Sequence, residues 1–122
     1  MKKRASILTG NTIKIKTGCG TLYVTINDDE EGNPIEVFIR LGKGGGCAAA
    51  QCESIGRLLS WGLRSGAGLE TAMESLMGIR CSETNLSDNK YSCSDAVSKA
   101  IAKRLEIKSP TEQETIVEET KV

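Results

Sequence analysis

The chain has 122 residues, 16 lysines and arginines against 16 aspartates and glutamates, five cysteines and no histidine. That length holds one ordinary domain, and zero formal charge leaves only a local patch for an anionic partner. Without histidine there is no Ser-His-Asp or Cys-His catalysis and no imidazole metal site.

In chain order, residues 1–11 open on the basic run Met1-Lys2-Lys3-Arg4. No apolar core or cleavage site follows, so the run is not a secretory signal, and it reads as an arm or a short pairing segment. Nothing approaches the ~18 apolar residues of a membrane helix. The expected compartment is therefore the cytosol, where cysteines stay reduced. Thr12-Ile13-Lys14-Ile15-Lys16-Thr17 alternates with the period of a half-buried strand. Gly18-Cys19-Gly20 breaks it, and Leu22 to Asn27 predicts a second strand. Asp28-Asp29-Glu30-Glu31-Gly32-Asn33-Pro34 is a turn by composition, more a solvated hairpin than a cation site. Ile35 to Leu41 predicts a third strand, antiparallel to the second.

After Gly42-Lys43-Gly44-Gly45-Gly46 the period becomes helical. From Cys47 to Ser65, Ala48, Ile55, Leu58, Leu59, Gly62 and Leu63 form one face, with Glu53, Arg57 and Arg64 opposite and Trp61 on the shoulder. Leu69, Ala72, Met73, Leu76 and Met77 predict a second helix that Gly78 ends. Residues 79–91 read as a loop. Ser92 with Asp95 three positions on is a capping-box variant opening a third helix, whose buried face is Ala96, Val97, Ala100, Ile101 and Leu105. Pro110 bars continuation, and the acidic remainder, 107–122, reads as a disordered tail. Strands followed by helices predict an α+β domain over 12–106: a small antiparallel sheet of about three strands with three helices packed on one face.

Four cysteines sit at element junctions: Cys19, Cys47, Cys81 and Cys93. Cys52 lies within the first helix, where a buried thiol acts as a small hydrophobe. The four can converge on a tetrahedral thiolate site for zinc, with iron as the other candidate. Turns and helix starts favour thiolates, and a metal would brace a thin core. There is no Cys-x-x-Cys pair, so packing thiols and a reactive thiol at Cys47 or Cys93 remain as alternatives. The glycine loop is neither a Walker A nor a dinucleotide motif. Its Lys43, Gly44, Gly45 and Gly46, with Arg40, form a candidate phosphate site, against a tight connection as the simpler reading. Arg57 and Arg64 can add contacts to a partner near Trp61. The basic N-terminus lacks the interleaved aromatics of a nucleic-acid site.

Several blocks carry a family resemblance. They are Thr17-Gly18-Cys19-Gly20-Thr21-Leu22-Tyr23-Val24-Thr25, Glu36-Val37-Phe38-Ile39, Gly42-Lys43-Gly44-Gly45-Gly46-Cys47, Gly78-Ile79-Arg80-Cys81 and Tyr91-Ser92-Cys93-Ser94-Asp95-Ala96. Together they resemble the TSCPD domain over roughly residues 8–105. That domain occurs at the C-terminus of adenosylcobalamin-dependent ribonucleotide reductases and as small stand-alone proteins. The motif Thr-Ser-Cys-Pro-Asp reads Tyr91-Ser92-Cys93-Ser94-Asp95 here. The resemblance implies the same four cysteines, Cys19, Cys47, Cys81 and Cys93, as a shared metal set. It brings no reaction, because the reductase barrel is absent from this sequence. The expectation is a non-catalytic, metal-stabilised accessory module partnering a reductase, a nucleotide or nucleic acid, with a homodimer as the expected assembly because small domains commonly pair. The alternative is a stand-alone binder of a nucleotide or other phosphorylated molecule.

Overall fold

The computed structural model describes residues 3–42 and 46–107. Alternation along the first forty residues produces three strands, β1 (Thr9–Thr17), β2 (Gly20–Asp28) and β3 (Pro34–Leu41). They form an antiparallel sheet in the order β1-β2-β3. The first strand starts at Thr9, so the last residues of the segment read as an arm or a short pairing segment are paired with β2. Arg4 of that segment is also held, its guanidinium on Glu36.

One sheet face carries Ile13, Ile15, Leu22, Val24, Ile26 and Val37, all buried. Three helices follow: α1 (Gly46–Arg64), α2 (Leu69–Leu76) and α3 (Cys93–Leu105). Ala96, Val97, Ala100 and Ile101 of α3 join that cluster, as do Cys52 and Leu63 of α1 and Leu69 of α2. Burying each large aliphatic side chain is worth ~1.5–3 kcal/mol, so these rows supply most of the fold's driving force. Residues 1–2, 43–45 and 108–122, including much of the expected tail, lie outside the described residues. Ile107, expected to begin that tail, is buried. Among the described residues no helix is long and apolar enough to cross a membrane.

α1 lies along the outer edge of β3 as well as on the core. Ser60 Oγ accepts from the Val37 N–H at 2.9 Å and donates to the Val37 carbonyl at 3.1 Å. Gly56 permits this approach, since a Cβ there would stand 3.1 Å from the Val37 carbonyl oxygen. This corrects the expected helix face in two places. Leu58 is 69% exposed rather than buried. Arg64 turns toward the sheet and pairs with Glu36 at 3.0 Å rather than lying on a wet face. The helix buries a stripe that contains small polar residues, which an apolar count does not register.

The acidic turn also differs from a solvated one. Asp28 is buried and pairs with Arg104 of α3 at 2.6 Å. Asp29 Oδ1 accepts from the N–H groups of Glu31 and Asn33, each at 2.9 Å, and so shapes the turn.

Candidate functional site

Two regions gather the chemistry. The first is the cysteine end of the domain. Cys19 occupies the β1–β2 turn, where Thr17 Oγ1 accepts its N–H at 3.0 Å. Gly18 beside it donates to the Tyr91 carbonyl at 3.1 Å. A Cβ on Gly18 would fall 1.9 Å from the Glu83 carbonyl oxygen, so only glycine lets the 79–91 loop close over this turn. Cys81 is exposed just beyond α2, its N–H bonded to Thr84 Oγ1 at 3.0 Å. Cys93 opens α3.

The Cys93 thiol lies beside those of Cys19 and Cys52. Burial pushes the Cys19 thiol up, and Cys93, Cys81 and Glu83 add to it. Burial pushes Cys52 up to about 12, with Cys93 and Cys19 reinforcing it. Both are therefore neutral thiols near pH 7, poorly suited to nucleophilic work. Three of the four expected ligands, Cys19, Cys81 and Cys93, thus share one neighbourhood. Cys47 is exposed in the first turn of α1 and shifts neither thiol, whereas Cys52, assigned to the core, adjoins Cys93. Among the described residues, as they stand, no three Cys, Asp or Glu side chains are grouped closely enough to hold a metal ion.

Helix α3 begins in a staple. Ser92 Oγ accepts from the Asp95 N–H at 3.0 Å, the expected N-cap, and donates to the Ile79 carbonyl. The Asp95 carboxylate does not close a box on Ser92. It accepts instead from the Gly78 N–H at 3.0 Å and from the Ser98 hydroxyl at 2.8 Å. The Ser-Cys-Ser-Asp run therefore ties the end of α2 to the start of α3 and holds Cys93 between them. The family model of the TSCPD domain matches residues 1–105. The chain belongs to the TSCPD domain family. No curated protein and no solved structure matches it.

The second region of this TSCPD domain is a groove of about 860 Å³ between the open sheet face and α1. Its floor follows the strand register. Tyr23 and Arg40 lie on one cross-strand rung, which Lys14 continues beyond the groove, and Thr12, Thr25 and Phe38 form the next. Thr12 and Thr25 join hydroxyls at 2.8 Å. The Arg40 guanidinium lies 4.6 Å from the centre of the Tyr23 ring. Arg57, Trp61 and Arg64 of α1 make the wall. Phe38 is 56% and Trp61 63% exposed, which is high for rings of their size.

Arg40 of β3 and Arg57 and Arg64 of α1 all line this groove. Their availability differs. Arg57 pairs with Glu53 at 2.6 Å in the open, and Arg64 is engaged on buried Glu36. Arg40 has no carboxylate partner among the described residues. Lys43, Gly44 and Gly45 lie outside the described residues. Gly46 starts α1 with open space where a Cβ would stand. The sequence reading missed Tyr23 and Phe38 as site residues. Their signal was present, since both fall on the outward phase of strands whose inward phase is aliphatic.

Proposed function

We propose that this TSCPD domain is a non-catalytic binding module that holds a nucleotide in the groove between its open sheet face and α1. It serves nucleotide metabolism as an accessory part, alone or beside a ribonucleotide reductase, the enzymes with which the family is usually linked. The observation that carries this reading is the convergence of Arg40, Arg57 and Arg64 with Tyr23, Phe38 and Trp61 on one groove. A ring stacked on an aromatic side chain gains ~1–3 kcal/mol, and a guanidinium matches phosphate oxygens in fork geometry. Three of the chain's four aromatics sit here, Phe38 and Trp61 exposed and Tyr23 half-buried.

The test is thermal denaturation with millimolar ATP, dATP and TTP. A ligand bound only by the folded state raises stability, by about 2.7 kcal/mol at a hundred times its Kd. A rise that Arg40→Ala removes supports the reading. No rise with any of the three sinks it.

The metal expectation joins this proposal as a brace, not a reactant. Cys19, Cys81 and Cys93 supply three thiolates, and α1 offers Cys47 or Cys52 as the fourth. Binding would draw these thiols together and release their protons. Zinc or iron at one per chain, with a melting point that falls on chelation, supports it. Metal-free protein with all five thiols titrating after mild unfolding and unchanged melting with added zinc argues against it.

A further inference from the structure

We infer that the open sheet face binds single-stranded nucleic acid, with the groove accepting one of its bases. This rests on the groove reading above and extends it from a nucleotide to a strand. Alternation puts Lys14 and Lys16 of β1, Tyr23 of β2 and Phe38 and Arg40 of β3 on the open face, opposite the one that carries the core, with α1 walling its β3 side. The register sets Tyr23 directly between Lys14 and Arg40. Cation, ring and cation thus stand in one row across the strands. The interleaving that the linear sequence lacks is created by the pairing of strands.

Tyr23 and Phe38 are diagonal neighbours on adjacent strands, a relation of about 7–8 Å. Two successive bases of an unstacked strand can then stack one on the Phe38 ring and one on the Arg40 guanidinium that covers the Tyr23 ring, while their phosphates run past the lysines. Duplex DNA hides its base faces and cannot use the rings.

Charge complementarity selects this occupant. Formal charge over the whole chain is zero. Yet among the described residues Lys14, Lys16 and Arg40 have no carboxylate partner. Glu36, the acid at the end of this face, is taken up by Arg4, Arg64 and Asn27. The sheet face is a local positive strip inside a neutral protein, bordered by exposed aromatics. Contacts to phosphates and ring faces read neither base identity nor sugar, so binding is expected to be indifferent to sequence.

The test is fluorescence anisotropy of the full chain with fluorescein-labelled (dT)12, at two salt concentrations, with TMP and a labelled duplex alongside. The expected result is saturable binding to (dT)12 that weakens as salt rises. Phe38→Ala should weaken it about tenfold, and Lys14→Glu should flatten the salt dependence. Both side chains are exposed, and a melting curve confirms that each variant folds. Competition by (U)12 at similar strength agrees with the absence of sugar contacts. Equal binding to duplex, or (dT)12 binding unchanged in both folded variants, overturns the inference. If a nucleotide stabilises the protein while (dT)12 fails to bind, the strand inference falls and the nucleotide reading stands. If neither binds, both fall.

Discussion

Asp95 Oδ1 accepts the backbone N–H of Gly78 at 3.0 Å, so the first turn of α3 is fastened to the residue following the α2 cap. Two helices that are neighbours in sequence could pack at many angles across a loop of this length. Here the Asp95 carboxylate and the Ser92 hydroxyl each take a backbone group from residues 78–79 and leave one arrangement. Asp95→Ala removes that acceptor and the one for Ser98 together. It should cost about 1–3 kcal/mol, read as a lower urea midpoint at unchanged slope. Asp95→Asn keeps an oxygen for Gly78 and should lose less.

A pH dependence follows from Glu36. Burial alone would raise its carboxyl, but hydrogen bonds from Arg4 and Asn27 and the charges of Arg4 and Arg64 outweigh it and hold it below its ordinary value. A carboxyl depressed on folding stabilises at pH values above its unfolded pKa, about 4.3. That contribution fades as pH falls from there through the folded pKa. Urea midpoints measured between pH 7 and pH 3 should therefore drop on the acid side. Glu36→Gln should be less stable at pH 7 and show a shallower acid decline. An equally steep decline in that variant would assign the effect to other carboxylates.

Ser60 offers a cleaner packing test. Ser60→Ala leaves both the Val37 N–H and the Val37 carbonyl without their partner. An unsatisfied buried group costs ~1–3 kcal/mol. The variant should lose stability in that range, and hydrogen exchange at the Val37 amide should quicken more than exchange at the centre of β2. Gly56→Ala tests the same contact sterically, since its Cβ must fit 3.1 Å from the Val37 carbonyl.

Thiol labelling should proceed in an order set by exposure. Cys47 and Cys81 are open, Cys19 and Cys93 half-covered, and Cys52 buried with its thiol pushed up to about 12. In metal-free native protein, a disulfide reagent should reach Cys47 and Cys81 first and Cys52 only as the chain unfolds. Mass mapping of labelled peptides over time reads the order directly. Early labelling of Cys52 would mean that α1 opens locally from the core.

The strands were legible because their inward and outward residues separate cleanly. Ile13 and Ile15 against Lys14 and Lys16 state the sheet face without ambiguity. The third helix was legible for a local reason, the Ser92 cap. The first helix was legible in extent but not in orientation. Its contact with a strand edge uses Gly56 and Ser60, and residues of that kind carry no apolar signal. The same blindness hid the roles of Arg64 and of Asp28, because partners 28 and 76 residues apart meet only once the chain has folded. Arg40 and Arg57 were named as candidates, but their shared groove with Phe38 and Trp61 depends on where α1 lies.

The Ser60 contact also decides how this sheet can be extended. Val37, near the middle of β3, has already given its outward N–H and carbonyl to a side chain of the same molecule. A further strand cannot zip along that edge without first displacing α1. The opposite border, β1, pairs with β2 and meets Tyr91 only at its far end, Thr17. Lysines at positions 14 and 16 flank that border with like charge, which discourages a second copy from aligning there. The sheet is thus closed by a hydroxyl on one side and flanked by charge on the other.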